Sequence, residues 1–568
     1  MLRFSLLSAA LACCSLFSAP PIITWDTARA YGTSAAKQPA EVRNGVVVTV
    51  SAPGSEAGLG VLKQGGNAVD AAVATAFALA VTYPAAGNIG GGGFMVVHPA
   101  NDDPVVFEYR ETAPAASSPT MFKKSDDGYG HRAAGVPGTV RGMELAHKKF
   151  GKLPWKTLLA PAIHLAKEGF IIDGALAKSL NEILKAGARF QELQRVFGHP
   201  EGGPWKAGDR LVQPELARTL SLIADQGPDV FYKGAIADLI VAEMKSGGGL
   251  ITADDLAAYR AMQRRPIHGT YRGFDIYAPP PPSSGGICLV EMLNMLEPFD
   301  LKKHDRFSPR TLHLMMEAMR RAYADRARHL GDPAFAKIPT FLTARDYAQK
   351  LAQSIDPAKA SKSADIASDI PIAGEGDSTT HFSVIDKDGL AVSNTYTLER
   401  SYGCRVVVKG GGFLLNNEMV DFNWFPGVTD HKGLIGTAAN QIAPGKRMLS
   451  SQTPTIVAKN GKVLLVTGSP GGRTIINTVL NVVLNVLEYD MPIQQAVAAP
   501  RLHHQWFPDE ARFEGMKEHA QAVEALRAMG HLVLPHKQGD AHSIWVNPST
   551  GGFVGAADQR ISGKVAAY

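Results

Sequence analysis

Residues 377–386 read DSTTHFSVID and place two adjacent threonines directly before a run that alternates as a β-strand does. The turn Lys387-Asp388-Gly389 and the strand-like run Leu390–Leu398 follow, so the sequence predicts a β-hairpin. A threonine hydroxyl is a poor nucleophile unless a base lies within hydrogen-bond reach. Cleavage before Thr379 would free an α-amine that titrates near ~7.7–8.0 and can act as that base. On this stretch alone, ordinary β-branched strand residues are the better interpretation.

Further segments along the chain change that interpretation. They share a fixed order and spacing around the threonine pair: GGNAVDA (65–71), FEYRETAP (107–114), AGVPG (134–138), GGGFLLNNEMVDF (410–422), KRMLSSQTPT (446–455), TGSPGG (467–472) and GAADQR (555–560). Each motif alone is weak evidence, but together and in this order they are specific. The chain resembles the γ-glutamyltranspeptidase (glutathione hydrolase) family of N-terminal-nucleophile (Ntn) hydrolases.

The resemblance implies an α+β fold, the αββα four-layer sandwich of Ntn hydrolases, built from two segments of one precursor. Cleavage between Ser378 and Thr379 would give a large subunit, residues 31–378, and a small catalytic subunit, residues 379–568. The region Asp356–Gly376 contains no aromatic residue and is rich in small and polar ones. We therefore predict an exposed, mobile segment leading to the cleavage point.

The resemblance also assigns catalytic roles. Thr379 matches the family's nucleophile, and Thr397 matches a second threonine that hydrogen-bonds it. Gly471 and Gly472 match the oxyanion hole, where backbone N–H groups bind the negative oxygen of a tetrahedral intermediate. Glycines suit this role because they let the backbone approach the substrate closely. The turn they form, between a strand and a predicted helix over Ile475–Leu487, is expected in either case.

A γ-glutamyl group carries one carboxylate and one ammonium on its α-carbon, so its pocket needs groups of both signs. By resemblance, Arg110 is the bidentate clamp for the carboxylate, and Ser450 and Ser451 add hydroxyl contacts. Asp421, with Glu418 nearby, would pair with the ammonium. The implied substrates are glutathione and other γ-glutamyl compounds, with water, amino acids or dipeptides as acceptors.

The chain departs from the family pattern at several positions near this pocket. Glu399 replaces a frequent asparagine beside the ammonium site, where an added carboxylate is compatible with binding. Pro426–Asn440 matches a lid over the substrate, but Lys432 replaces an aromatic residue often found there. Cys404-Arg405 replaces a more usual glycine-containing pair. These differences leave the balance between hydrolysis and transfer open.

Composition is that of a globular protein with small-molecule partners. The chain has 568 residues, 45% hydrophobic and 20% charged, with a net charge of +5 and no block of basic residues that would indicate a nucleic-acid surface. The run Ala71–Ala100 is broken by Pro84 and by glycines, so it is too short to span a membrane. Its glycines lie between a predicted helix (Asp70–Val81) and a predicted strand (Phe94–Val97), the reverse of a dinucleotide site's order.

The first 30 residues predict a signal peptide rather than part of the fold. Arg3 precedes an apolar stretch, and Ala28-Arg29-Ala30 offers a cleavage site, although an earlier cut near Ser18-Ala19 is also compatible. Export to a bacterial periplasm is the prediction. Lipoprotein anchoring at Cys14 is a lesser alternative, because a second cysteine directly precedes it.

No cofactor or metal is expected. Beyond the signal region only Cys288 and Cys404 remain, and we predict two unpaired thiols. The adjacent pair His503-His504 would point to opposite faces of a strand, so it does not make a metal site. Two alternatives to the main interpretation stay open. One is an acylase of the glutaryl-cephalosporin or polyglutamate type, and the other is an uncleaved homologue that binds γ-glutamyl compounds without catalysis.

Overall fold

The computed structural model describes residues 40–367, 379–432 and 435–568. The strands, numbered in chain order, are β1 (Gly45–Thr49), β2 (Gly92–His98), β3 (Val105–Glu108), β4 (Phe170–Ile171), β5 (Arg210–Leu211), β6 (Met262–Arg264), β7 (Ile267–Tyr271), β8 (Phe274–Ala278), β9 (Thr380–Asp386), β10 (Ala391–Thr397), β11 (Thr455–Lys459), β12 (Lys462–Thr467), β13 (Leu502–His504), β14 (Ala511–Phe513), β15 (Val533–Pro535), β16 (His542–Val546), β17 (Phe553–Ala557) and β18 (Lys564–Ala567).

The α-helices, numbered in the same way, are α1 (Ala52–Lys63), α2 (Ala68–Thr82), α3 (Thr139–Phe150), α4 (Trp155–Glu168), α5 (Gly174–Ala186), α6 (Gln191–Phe197), α7 (Pro214–Gln226), α8 (Asp229–Lys233), α9 (Ala235–Gly247), α10 (Ala253–Ala258), α11 (Gly285–Leu296), α12 (Pro309–His329), α13 (Arg345–Gln353), α14 (Ser363–Ile366), α15 (Thr474–Leu487), α16 (Ile493–Ala498) and α17 (Ala520–Ala528). None of these described helices combines the length and the apolar character needed to cross a bilayer.

Two antiparallel sheets form the centre of the fold. The seven-stranded sheet has the order β18-β1-β9-β10-β2-β3-β6, and the six-stranded sheet has the order β17-β16-β12-β11-β8-β7. In the seven-stranded sheet, β9 and β10 lie between β1 and β2, so strands from before and after residue 379 are interleaved. In the six-stranded sheet, β8 from before residue 379 pairs with β11 from after it. Both parts of the chain therefore contribute strands to each sheet.

Side chains alternate along each strand and so create separate cores on the two faces of a sheet. Val46 and Val48 of β1 pack between the sheets with Ile456 and Val466 of the second sheet. Val47 packs on the opposite face, against α1, α2 and their neighbours. The outer face of the six-stranded sheet is covered by α11, α12 and α15. The order of layers is helix, sheet, sheet, helix, and the predicted α+β, αββα sandwich is confirmed.

The predicted hairpin is present as β9 and β10. Gly389 has φ +83°, a left-handed value that glycine adopts without strain. The Asp386 carboxylate accepts the backbone N–H groups of Asp388 at 3.0 Å and Leu390 at 3.2 Å within the turn. It also accepts the N–H of Ala68 at 2.9 Å, which fixes the start of α2 on this hairpin.

The other local predictions are confirmed with small changes at the ends. The helix predicted over Asp70–Val81 is α2, the strand Phe94–Val97 lies within β2, and the helix Ile475–Leu487 is α15. Cys288 and Cys404 are both buried and unpaired, as predicted.

The predicted mobile segment Asp356–Gly376 is described only as far as Ala367. Within that part the prediction is wrong beyond residue 360, because Ser363–Ile366 forms a short helix and the Ser363 side chain is fully buried. The Ser363 N–H donates to Asp509, and the indole N–H of Trp506 donates to the Ser363 carbonyl at 2.7 Å. Residues 368–376 lie outside the described residues.

Candidate active site

Thr379 lies at the open end of the β9–β10 ladder. The register pairs Thr380 with Tyr396, so its extension by one residue sets Thr379 opposite Thr397. Both side chains are largely buried, with Thr379 7% exposed and Thr397 2% exposed. Because alternate residues of a strand share a face, Thr379 lies on the face of Ile385, which packs between the two sheets. The two threonines therefore lie side by side at the mouth of the sandwich.

His381 occupies the same face, two residues after Thr379. Its Nδ1 lies 2.9 Å from the Thr395 hydroxyl and its Nε2 lies 3.1 Å from the Ser383 hydroxyl. Because Ser383 Oγ donates to the His542 carbonyl at 2.8 Å, the Nε2–H of His381 is the donor in its contact with Ser383. Burial, with His542 nearby, lowers the pKa of His381 well below its usual value. The ring is neutral and both its nitrogens are engaged.

The glycine turn between β12 and α15 reaches this end of β9. A Cβ atom added at Gly468 would lie 2.4 Å from Cε1 of His381, so the turn begins directly against that ring. Gly471 has φ +130° and Gly472 has φ +54°. Thr474 closes the turn, since its N–H and its hydroxyl donate to the Gly471 carbonyl at 3.0 and 2.8 Å. The turn that leads into α15 thus starts at the His381 ring, two residues from Thr379.

Arg110 forms the second part of the site, and its guanidinium is surrounded by acceptors. Nη1 lies 2.5 Å from Glu418 and 3.4 Å from Glu111, and Nη2 pairs with Asp421. Nε donates to the Met448 carbonyl at 3.3 Å, and Nη2 donates to the Leu449 carbonyl at 3.1 Å. Arg110 is 1% exposed, so the cation is desolvated and fully coordinated.

The carboxyl groups around Arg110 are perturbed by one another. Burial raises the pKa of Glu111 to about 8, against the lowering effect of Arg110. Burial also raises the pKa of Glu418 well above its usual value, with Glu111, Asp421 and Glu399 adding to the shift. A carboxyl cluster of this kind around one cation favours a further positive charge, such as an ammonium.

Glu399 connects the two parts of the site. Its backbone has φ +77°, and its N–H donates to the Thr397 hydroxyl at 2.8 Å. Its side chain is 5% exposed and lies 3.6 Å from Nε of Arg400. Glu399 therefore contacts Thr397 through its backbone and contributes its charge to the environment of Glu418.

Ser450 and Ser451 follow directly after Leu449, whose carbonyl binds Arg110. The Ser450 N–H donates to the Pro282 carbonyl at 2.8 Å, and the Ser450 carbonyl accepts the N–H and hydroxyl of Ser284 at 2.8 and 2.7 Å. The loop 279–284, before α11, thus supports the serine pair. All ten residues predicted for the site (Arg110, Thr379, Thr397, Glu399, Glu418, Asp421, Ser450, Ser451, Gly471, Gly472) lie on segments joined by these contacts.

The predicted lid, Pro426–Asn440, is anchored at its end. Asn440 donates its side-chain amide to the Asp421 carbonyl at 2.6 Å and accepts the Leu449 N–H at 2.9 Å. Thr437 donates its hydroxyl to the Ala327 carbonyl of α12 at 2.8 Å. Lys432 is exposed, and Gly433 and Leu434 lie outside the described residues.

Two asparagines that hold the site together were not singled out from the sequence. Asn440 has no motif signal, because its partners are backbone groups of distant segments. Asn416 lies inside a quoted motif, and its side chain accepts the N–H groups of Gly135 at 2.8 Å and Glu418 at 3.0 Å. It also donates to the carbonyls of Gly90 and Gly135. Asn416 thus joins the AGVPG and NNE motifs in the fold.

One buried cluster among the described residues has ligand atoms close enough for a metal ion, and it lies on α12 and near α17. Ligand atoms of His313, Glu317 and His531 lie within 4.8 Å of one another. His313 Nδ1 already contacts His531 Nε2 at 2.8 Å, and Arg320 lies 3.4 Å from both Glu317 and His531 Nδ1. The adjacent guanidinium opposes a cation, so these residues fit a hydrogen-bond chain better than a metal centre.

Comparison with known proteins agrees with this geometry. The sequence model of the gamma-glutamyltranspeptidase family matches residues 54–568. The chain is 47% identical to the glutathione hydrolase proenzyme of Escherichia coli K12 over 534 residues, covering 92% of this chain and 91% of that protein. Among solved structures, it is similar to a cephalosporin acylase from Bacillus halodurans (TM-score 0.84, 27% identity, covering 96% of this chain and 99% of that chain). It is also similar to the gamma-glutamyltranspeptidase of Helicobacter pylori (TM-score 0.54, 42% identity, covering 55% of this chain and 91% of that chain). The chain therefore belongs to the gamma-glutamyltranspeptidase family of enzymes.

Proposed function

We propose that the chain is a precursor that cuts itself between Ser378 and Thr379 and then transfers γ-glutamyl groups from glutathione and related amides. The observation that carries this proposal is the chain of neighbours between Thr379 and the Arg110 cluster. Thr397 lies opposite Thr379 in the extended ladder register, its hydroxyl accepts the Glu399 N–H, and the Glu399 carboxylate is near enough to Glu418, the partner of Arg110, to affect its ionisation. These neighbours join a threonine at a strand end to a pocket that holds both a cation and carboxylates.

In maturation, the Thr379 hydroxyl attacks the Ser378 carbonyl carbon, and the peptide C–N bond breaks as the nitrogen takes up the proton. Water then hydrolyses the resulting ester, which leaves a carboxylate on Ser378 and a free α-amine and hydroxyl on Thr379. Both nitrogens of the neutral His381 ring are engaged, so the freed amine is the better candidate for the base that activates the hydroxyl in the later turnover. The two products are residues up to 378 and residues 379–568.

In turnover, the Thr379 amine takes the hydroxyl proton while the oxygen attacks the γ-carbonyl carbon of the substrate. N–H groups of Gly471 and Gly472 would bind the resulting oxyanion, a role in which one donor is worth about 10²–10³ in turnover. The C–N bond then breaks and the amine leaves with a proton. Water, an amino acid or a dipeptide then attacks the ester carbonyl carbon, which releases the γ-glutamyl product and regenerates the Thr379 hydroxyl. Thr397, whose oxygen accepts the Glu399 N–H, would donate its hydroxyl hydrogen to Thr379.

The Arg110 cluster fits the two charges of the substrate α-carbon. The α-carboxylate would exchange with one of the carboxylates now paired with Arg110, and the displaced Asp421, with Glu418 and Glu399, would face the ammonium. Ser450 and Ser451 would donate their hydroxyls to the same carboxylate. A glutaryl group has no ammonium to pair with these acidic side chains, which favours a γ-glutamyl donor over a glutaryl donor.

The intact mass and N-terminal sequence of the purified protein test the proposal directly. We expect two fragments, one of which begins Thr-Thr-His-Phe, together with release of p-nitroaniline from L-γ-glutamyl-p-nitroanilide. Faster cleavage of glutaryl-p-nitroanilide would favour the acylase alternative. A chain that stays intact and binds glutathione would favour the non-catalytic alternative.

We also propose that residues 1–30 direct export to the periplasm. Fractionation of a Gram-negative host that expresses the full chain, followed by N-terminal sequencing of the large fragment, checks both the compartment and the cleavage site. A fragment released with the periplasmic fraction and starting near Tyr31 is the expected result. Recovery in the membrane fraction with an acylated Cys14 would favour the lipoprotein alternative.

A further inference from the structure

Arg326 of α12 is a buried cation that the proposed mechanism does not use, yet it contacts the serine pair of the site. Its Nε donates to the Ser284 hydroxyl at 2.9 Å, and its Nη2 donates to the Ser451 hydroxyl at 2.9 Å. Ser284 in turn donates to the Ser450 carbonyl at 2.7 Å. The guanidinium is 1% exposed. Arg326, which precedes the proposed cleavage point, therefore contacts Ser451 directly and Ser450 through Ser284.

The direction of these hydrogen bonds decides what the serines can do. The oxygen of Ser451 accepts from Arg326, and the oxygen of Ser450 accepts the Gln452 N–H at 3.1 Å. Among the described residues, none accepts either hydroxyl hydrogen. Both hydrogens therefore remain available to donate to an anion, and a hydroxyl that accepts from a cation is a stronger donor.

The charge balance of the pocket indicates why a second arginine close to the serine pair matters for binding a carboxylate. Arg110 is the cation in direct contact with the pocket, and Glu111, Glu418 and Asp421 all lie within 3.4 Å of it. A carboxylate that enters this cluster meets strong repulsion unless another positive charge stands nearby. The Arg326 guanidinium lies one hydroxyl away from this position, with its Nη2 on Ser451.

We propose that Arg326 is a positioning residue that orients and polarises the Ser451 hydroxyl toward the α-carboxylate of the γ-glutamyl donor. The proposal rests on the proposed function, because it assumes that Ser451 faces that carboxylate. Ser284 extends the same support to Ser450. The planar fork of arginine is needed, since one nitrogen reaches Ser284 and another reaches Ser451.

A double-mutant cycle between Arg326→Lys and Ser451→Ala tests it, with L-γ-glutamyl-p-nitroanilide as the donor. Lysine keeps the buried charge but has one nitrogen, so we expect KM to rise about tenfold with kcat within about twofold. In the Ser451→Ala background the same change should raise KM by about twofold or less. Arg321→Lys is the matched control, because this buried arginine of the same helix donates to Ser354 and Ser361 instead.

Equal effects of Arg326→Lys in both backgrounds, or no effect on KM in either, would overturn the proposal. If Arg326→Lys does not mature, Ser284→Ala replaces it, since this change releases Nε while leaving the arginine in place. An unchanged KM in Ser284→Ala would then overturn it, and a rise of about threefold that disappears in Ser451→Ala would support it. A wild-type enzyme without γ-glutamyl hydrolysis would reject the proposed function and this inference with it, whereas an active wild type with additive variants rejects the inference alone.

Discussion

Arg110 and Glu418 form an ion pair of 2.5 Å in which the side chains are 1% and 0% exposed to solvent. A pair this deeply desolvated stabilises the fold only when its remaining hydrogen-bonding groups are satisfied. Arg110 meets that condition through the carbonyls of Met448 and Leu449 and the carboxylate of Asp421. The same contacts place a bidentate donor where a substrate carboxylate can exchange for Asp421.

The first prediction concerns this arginine. Arg110→Lys should leave maturation intact and raise KM for L-γ-glutamyl-p-nitroanilide by at least about tenfold, because an ammonium cannot replace two parallel donors. Steady-state kinetics of the purified variant measure it. Arg141→Lys is the control, because Arg141 forms ion pairs with Glu144 and Asp229 outside the candidate site. A KM equal to that of the wild type would remove Arg110 from the pocket.

The second prediction concerns the proposed nucleophile. Thr379→Ala should give an uncut, inactive precursor, since it removes the hydroxyl for both the self-cleavage and the turnover. Intact mass after prolonged incubation measures cleavage. Thr380→Ala is the control, because the next residue of β9 points to the opposite face of the sheet. Normal maturation of Thr379→Ala would contradict the mechanism.

The third prediction concerns Thr397. Thr397→Val should lower kcat by about one to two orders of magnitude with a small change in KM, because it deletes a hydrogen bond to the reacting hydroxyl and leaves the Glu399 N–H without its acceptor. Thr397→Ser, which retains the hydroxyl, should restore most of the activity. If serine and valine give the same kcat, the hydroxyl has no role in the reaction.

The fourth prediction concerns the glycine turn. Gly472→Ala should lower kcat by about 10²–10³ if the turn supplies oxyanion donors, since a side chain at φ +54° displaces the backbone. Gly461→Ala is a matched control: Gly461 has φ +76° in the exposed β11–β12 turn, with no atom within 4 Å of an added Cβ. Equal losses in both variants would indicate general destabilisation instead.

The fifth prediction concerns pH. Burial opposes ionisation of Glu317, but Arg320, the Ser361 N–H and Arg321 outweigh it and lower its pKa to about 2. A lowered pKa in the folded state stabilises the protein above the unfolded value near 4.5, and this stabilisation is lost as the pH falls from about 5 to 2. It is worth on the order of 3 kcal/mol at pH 7.

Glu317→Gln should therefore destabilise the protein at pH 7 and flatten the acid side of its stability profile. Urea unfolding at pH 7, 4 and 3 measures this effect. Glu524→Gln is the control, since Glu524 forms an exposed pair with Arg527. An unaltered slope between pH 5 and 3 would show that Glu317 carries no such stabilisation.

Much of the local structure could be predicted from the sequence. The β9–β10 hairpin follows from strict alternation around a glycine turn, and α2 follows from an apolar run that begins at the Asn67 capping residue. The motifs supplied the candidate residues of the site, but not their partners. Two of the three carboxylates around Arg110, those of Glu418 and Asp421, come from a segment more than 300 residues away in the chain, and Asn440 binds backbone carbonyl and N–H groups. Such contacts leave no periodic pattern.

The interleaving of early and late strands in the seven-stranded sheet has a consequence for the chain once it is cut as proposed. Removal of one peptide bond cannot release either fragment, because β9 and β10 are hydrogen-bonded on both sides to β1 and β2. Folding of the precursor is a unimolecular process, whereas refolding after the cut requires two separate polypeptides to meet and interdigitate their strands. Under the proposed maturation, unfolding becomes effectively irreversible at low concentration, so the lifetime of the cut enzyme would be set by its unfolding rate and not by its free energy of folding.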